Sequence, residues 1–225
     1  MSKKLTVDQF LARAEVVNPR LQEHKRGRLM FALDATASRQ PTWDQAAQIQ
    51  GDMFVETAGL GALDIQLVFF RGFNEFKVSN WINNAEGLLR LMARVFCAAG
   101  QTQIRKVLQH AVNQAKKEQI DALIFIGDSC EEDMDPIVAA AGELGLVGVP
   151  VFLFHEGIDP IAEYCFREIS RLTGGAYCHF DSSSGDMLKK LLCAVAVYTV
   201  GGKNELEKFI DDTGLATLLP PSQFK

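Results

Sequence analysis

The chain is short of the features that would take it out of the ordinary folded proteins. It has no apolar run near the ~20 residues that a membrane span requires, and its best candidate, Leu191 to Val200, falls well short of that length. At the N-terminus, Met1-Ser2-Lys3-Lys4 leads into Leu5 to Phe10 with Asp8 inside it, which puts charge where a leader needs its apolar segment. A CxxC pair is also missing. The five cysteines, Cys97, Cys130, Cys165, Cys178 and Cys193, are odd in number, which argues against a disulfide framework or a zinc site and implies a reducing compartment. Positive charge is not in excess either: the net charge is −5, with no basic stripe interleaved with aromatics, so nucleic acid is not an expected partner. No low-complexity tract, long linker or internal repeat breaks the chain. These absences together predict a cytoplasmic protein with no nucleic-acid or membrane partner.

What is present is a chain of 225 residues, 48% hydrophobic and 23% charged, enough for one large α/β domain with a substantial core. Its organising stretch is Arg28-Leu29-Met30-Phe31-Ala32-Leu33-Asp34-Ala35-Thr36-Ala37-Ser38. An unbroken apolar run followed by turn chemistry reads as a strand buried on both faces of a parallel sheet. Asp34, Thr36 and Ser38 then sit at its carboxyl end, where open α/β sheets place their ligands. They offer only oxygen, which suits a hard cation such as Mg²⁺.

Along the chain, Val7, Phe10, Leu11 and Ala14 have helical spacing and predict a short docking helix over 6–16. Pro41 is placed to open a helix that runs to Gly59. Residues 64–70 and 75–79, joined by Arg71-Gly72-Phe73-Asn74, read as a hairpin whose second strand lies at the sheet edge. Helices follow over 88–95 and 103–117, with Thr102 at the N-cap of the latter. Residues 122–127 repeat the opening pattern, an apolar strand ending in Asp128. Beyond it the pattern predicts a helix (136–144), strand (149–154), helix (160–172), strand (176–180) and helix (185–200), then a tail with a helical piece at 204–211. Strands alternating with helices predict a doubly wound, mostly parallel sheet of six strands with helices on both faces.

If the first and fourth strands are neighbours, Asp34 and Asp128 lie at adjacent carboxyl ends, roughly 5 Å apart laterally. Right-handed crossovers bring helix N-termini to the same face, so Thr102 adds a third hydroxyl. Two carboxylates and three neutral hydroxyls leave a divalent cation under-neutralised and with an open position. Such an ion attracts an outside carboxylate.

These residues carry a family resemblance. Asp34-x-Thr36-x-Ser38 resembles the DxSxS loop of von Willebrand factor A (VWA) domains, Gly100-Gln101-Thr102 their GGT loop, and Ile124-Phe125-Ile126-Gly127-Asp128 their strand ending in the last motif aspartate. The sequence departs from the usual loops at Thr36, Gln101 and Ser129. The resemblance implies a Rossmann-like VWA fold over 27–200, between an N-terminal helical extension (1–26) and a C-terminal tail (201–225). It also implies a metal-ion-dependent adhesion site (MIDAS) holding Mg²⁺ or Mn²⁺ on Asp34, Thr36, Ser38, Thr102 and Asp128. The function it implies is a non-enzymatic adaptor or assembly subunit that captures an Asp or Glu of a protein partner.

Two other readings compete. Gly127-Asp128-Ser129-Cys130-Glu131-Glu132-Asp133 resembles the acidic motif of haloacid-dehalogenase-type phosphohydrolases, in which Asp34 would be the nucleophile. Thr36 then stands where that chemistry needs an acid, and the lysine would have to be Lys116 or Lys117. In the other, the fold persists around a purely structural site. Gly201-Gly202-Lys203 lacks phosphate-loop spacing and reads as the end of the last helix. The acidic run from Glu131 to Asp135 reads as a solvated loop. His24, His110, His155 and His179 show no ligand spacing; only His155 falls on the ligand face, near enough for the rim, and it is read as structural. Cys97 and Cys130 read as plain thiols of that face.

Overall fold

The computed structural model describes residues 26–42, 62–180, 189–190, 192–197 and 199–200. The expected helix over 6–16, that from Pro41 onward beyond residue 42, and the 201–225 tail lie outside the described residues.

Strand β1 (Arg26–Asp34) is the centre of a six-stranded sheet. Around it are β2 (Ala62–Arg71), β3 (Glu75–Ile82), β4 (Ala122–Gly127), β5 (Val151–Glu156) and β6 (Ala176–Phe180). The order is β3-β2-β1-β4-β5-β6, with only β3 antiparallel to its neighbour. The chain therefore leaves β1 toward one edge and returns to its other side with β4, which makes the β1/β4 boundary the switch point.

Alternation along β1 divides the core in two. Leu29, Phe31 and Leu33 face one side, with Ile124, Ile126, Phe152 and Phe154 of the neighbouring strands; they pack on Leu88 and Met92 of α1 (Ala85–Met92) and on helical residues 192–196. Met30 and Ala32 face the other, with Leu123, Phe125, Val151 and Leu153, under α2 (Ile104–Ala115), α3 (Met134–Leu146) and α4 (Pro160–Thr173). Each buried large apolar side chain contributes about 1.5–3 kcal/mol relative to exposure, so a central strand covered on both faces is held from both. β3 is covered less: all of its residues are partly or fully exposed, as suits an edge.

Several boundaries differ from the sequence expectation, each for a local reason. α1 starts before its apolar residues because Asn84 accepts a hydrogen bond from Gly87 N at 2.7 Å and caps it. α3 starts at Met134 and carries Pro136 in its first turn, where a missing N–H costs nothing. β5 starts at Val151, not at 149, because Val149 N bonds back to Leu144 O and closes α3. α4 matches its signals: Asp159 accepts from Ile161 N at 2.8 Å, Pro160 follows, and Gly174 ends the helix at φ 71°. Pro41, expected to open an α-helix, lies in the 3-10 helix Ala37–Thr42. Among the described residues, no helix is long and apolar enough to cross a membrane.

Candidate functional site

Asp34 is the last residue of β1 and fully buried. The pairing of Leu33 with Ile126 carries on to set Asp34 beside Gly127, the residue before Asp128. A Cβ at Gly127 would come within 2.7 Å of the Phe125 ring and 3.5 Å of the Asp34 Cβ. Asp34 Oδ1 accepts from Thr36 N at 2.8 Å, turning the chain sharply after the strand, and the Thr36 and Ser38 hydroxyls lie 3.1 Å apart. Asp34 Oδ2 and Asp128 Oδ1 are both buried and have no hydrogen-bond partner among the described residues. Burial drives the Asp34 pKa up to about 6, against the pull of the Thr36 hydroxyl and N–H; the Asp128 charge pushes it further up, and Arg39 draws it down.

The Thr102 loop is fastened to this turn through backbone. Ala98 N bonds to Ala35 O at 3.1 Å, and Gly72 N to Ala98 O at 3.3 Å. Gly100 lies so close to Gly72 that a Cβ would sit 2.1 Å from the Gly72 carbonyl oxygen, so this position excludes every other residue without a shift of the loop. Thr102 is buried, but it is not the N-cap: that place belongs to Gln103, which makes no side-chain cap. The Thr102 hydroxyl instead accepts from Glu131 N at 3.0 Å, while Thr102 N donates to the Glu131 carboxylate at 3.3 Å. The cap of α2 comes from across the loop: the Glu132 carboxylate accepts from Ile104 N and Arg105 N. A negative charge there also meets the positive end of the helix dipole. Burial raises the Glu132 pKa against these hydrogen bonds. The stretch expected to be a solvated loop thus holds α2 in place, and its last residues, Met134 and Asp135, belong to α3.

The structure therefore brings Asp34, Thr36 and Ser38 into one turn, sets Asp128 at the adjoining strand end, and ties the loop carrying Thr102 to that turn. Among the described residues, no three His, Cys, Asp or Glu side chains gather as metal ligands, as expected for a site with two carboxylates and otherwise hydroxyls. The donor set fits a divalent cation. It holds two buried acceptor oxygens without donors, and a buried Asp34 carboxylate whose charge is disfavoured by desolvation and by Asp128 is in the condition a hard cation relieves.

One nearby feature was not read from the sequence. Arg39 is almost fully buried and pairs with Glu156 at 3.1 Å; the cation and acid lie far apart in the chain, so only the fold brings them together. Burial raises the Cys97 thiol to about 11, with Asp34, Asp128 and Arg39 close enough to act on it. The Cys130 and Cys165 thiols are hydrogen-bonded, which together with burial pushes Cys165 up. His155 does not line a rim: it is buried, its Nδ1 lies 2.8 Å from the Tyr177 hydroxyl, and its ring packs edge-on to Phe166. Burial, then His179, lowers its pKa.

No family model matches the sequence, and comparison with curated proteins gives no match. Solved structures do match. The von Willebrand factor type A protein from Catenulispora acidiphila superposes with a TM-score of 0.62 at 12% identity, over 77% of this chain and 43% of that one. The SpRpn10 VWA domain gives 0.59 at 12% identity, over 79% of this chain and 97% of that one. Proximal thread matrix protein 1 from the mussel byssus, solved with a zinc-occupied MIDAS motif, gives 0.58 at 18% identity, over 76% of this chain and 48% of that one. This chain thus spans less than half of two of these proteins and nearly all of the third. At such identities the likeness speaks for architecture, and on strand order, connections and superposition the chain has the fold of a von Willebrand factor A domain.

Proposed function

We propose that this protein is a metal-dependent protein-binding module that holds Mg²⁺ or Mn²⁺ on Asp34, Thr36, Ser38, Thr102 and Asp128. The observation that carries the reading is the pair of buried, unpartnered oxygens, Asp34 Oδ2 and Asp128 Oδ1, at neighbouring strand ends. When bound, the cation supplies an open coordination position for an Asp or Glu carboxylate of a protein partner. The chain's own part is to hold the oxygens in place: the Asp34 turn through Thr36 N, the Thr102 loop through Ala35 and Gly72, and Thr102 itself through Glu131. The zinc-occupied site of the mussel protein on the same fold supports divalent binding. In the cell we place the module in the cytoplasm, as an adaptor or assembly subunit and not an enzyme.

The phosphohydrolase reading has less support. Thr36 supplies no proton of suitable acidity. Lys116 and Lys117 follow the C-terminus of α2, roughly 18 Å of helix from the end near Thr102, and Lys116 is paired with Glu143 at 2.6 Å.

The reading is tested by affinity capture from native extract with Mg²⁺, with chelator, and with Asp34→Ala as bait. The expected result is a set of proteins retained only by the wild-type chain in Mg²⁺ and released by chelator. Identical sets in all three would overturn it.

A further inference from the structure

Beside Thr102 lies a cavity of about 410 Å³ lined by Asn74, Thr102, Gln103, Arg105, Lys106 and Glu132, among others. Its charge is uneven. The Glu132 carboxylate is committed to the Ile104 and Arg105 N–H groups. Among the described residues Lys106 Nζ hydrogen-bonds to neutral oxygens, Asn74 Oδ1 at 3.0 Å and Gln103 Oε1 at 2.8 Å, while the Glu132 carboxylate is close enough to act on its charge. Arg105 is exposed, and its guanidinium has no ion pair among the described residues. Across Thr102, the loop leading to α3 and the first turn of that helix present the exposed acids Glu131, Asp133 and Asp135. The face is therefore polar in the electrical sense, with cations on the α2 side and acids on the α3 side. At the cavity's edge, the β2–β3 turn that contributes Asn74 also carries Phe73, whose side chain is 100% exposed. Asn74 itself stands at φ 58°, in a conformation that an asparagine tolerates and few other residues do.

From this arrangement we infer that the partner is a protein segment with two acidic side chains, one reaching the Asp34–Asp128 site and a second seated in the cavity against Arg105 and Lys106. An apolar side chain of the same segment covers Phe73. The inference rests on the metal-dependent reading above and adds direction and composition to it. A segment anchored at Thr102 meets attraction for a second carboxylate toward α2 and repulsion toward Glu131, Asp133 and Asp135, which sets the orientation in which it lies. With Glu132 held by the Ile104 and Arg105 N–H groups, Arg105 and Lys106 leave the cavity an excess of positive charge for an incoming anion, and carboxylate pairs with such donors are the stronger kind. The cavity's size is within the range of ligand-binding clefts. A fully exposed phenylalanine in a tight turn is a side chain of the type enriched at interfaces.

A phage-displayed random dodecapeptide library, selected on the full chain in Mg²⁺ and eluted with chelator, tests the inference. The eluted pool should be enriched in peptides with two acids and an apolar residue. A synthetic peptide from that pool should bind Arg105→Glu/Lys106→Glu about tenfold or more weakly than wild type, and Arg105→Ala/Lys106→Ala by a smaller factor. Circular dichroism should show both variants folded, and calorimetric Mg²⁺ affinity should not fall in either, which separates this surface from the metal site and from misfolding. Peptides with a single acid, or two-acid peptides indifferent to both variants, would overturn the inference while leaving the metal-dependent reading intact. Mg²⁺ binding without any chelator-released pool would overturn it as well. Absence of Mg²⁺ binding by the wild-type chain would remove the reading on which it rests.

Discussion

The two ends of the β1/β4 pair each bury an aspartate. At the amino end, Asp121 is nearly inaccessible, and both of its oxygens are used: Oδ2 accepts from Arg28 N and Oδ1 from Gln119 Nε2, each at 2.7 Å. At the carboxyl end, Asp34 is equally buried but has one oxygen without a donor, and Asp128 has another beside it. The first arrangement is a closed structural clasp, in which backbone and amide donors offset the loss of water. The second leaves a deficit of positive charge. Burial of a carboxylate is therefore no sign of function here; the unmet acceptors at the switch point are. That contrast can be sharpened or broken by substitution and by pH.

The largest effect should come from exchanging the two kinds of aspartate for alanine. Asp34→Ala should lower divalent affinity by about a hundredfold or more, the scale expected above that of outer-shell changes. Asp121→Ala should leave that affinity alone and lower stability by about 1–3 kcal/mol, since it leaves the Arg28 N–H without an acceptor. Calorimetric titration with Mn²⁺, alongside denaturant melts, separates the two. Loss of metal binding in Asp121→Ala at full foldedness would break the comparison.

The next effect is in pH. Asp34 is raised from 3.8 to about 6 in the folded chain, so between those values the native state binds more protons than the unfolded one. Stability of the metal-free protein should therefore fall as pH rises from about 4 to about 6, by about 3 kcal/mol in all. Asp34→Asn should flatten that slope. Added Mg²⁺, which favours the ionised carboxylate, should bind more weakly below pH 6 than above it. A metal-free stability profile that rises through this window in wild type and is unaltered by Asp34→Asn would contradict the electrostatic account.

A smaller change is expected from the loop that brings Thr102 in. Gly100→Ala places a methyl against the Gly72 carbonyl and should cost roughly 1–3 kcal/mol of stability, read as a lower denaturant midpoint. Divalent affinity should fall with it as the loop shifts. Thr102→Ala should do least, about 1 kcal/mol or so, because it removes one hydroxyl acceptor of the Glu131 N–H. Its effect on partner capture should exceed its effect on the metal.

How much of this could be read from the chain follows from which interactions are local. β1 and β4 are legible because an unbroken apolar run ending in aspartate has few alternatives, whereas the neighbour relation of Asp34 and Asp128 enters the sequence reading as a condition that the β1/β4 pairing meets. β6 was visible for similar reasons. The Asn84 cap and the closure of α3 by Val149 N are local too, but their signals are single polar or backbone groups that compete with nearby apolar patterns. Glu132 capping α2 was not legible, since the acid belongs to a different loop from the helix it caps. The same holds for Arg39 and Glu156, and for the approach of Gly100 to Gly72, which explains the glycine of the loop motif only once the hairpin is in place. The displacement of Thr102 from the cap to a bond with Glu131 N changes what holds its hydroxyl, and no spacing rule contains it.

Manganese binding at pH 7.5, followed by electron paramagnetic resonance of the free ion, tests the central claim most directly. The account predicts one site per chain in wild type and in Asp121→Ala, and loss of that site in Asp34→Ala and in Asp128→Ala, all four proteins being folded by circular dichroism. Equal binding by wild type, Asp34→Ala and Asp128→Ala would contradict it.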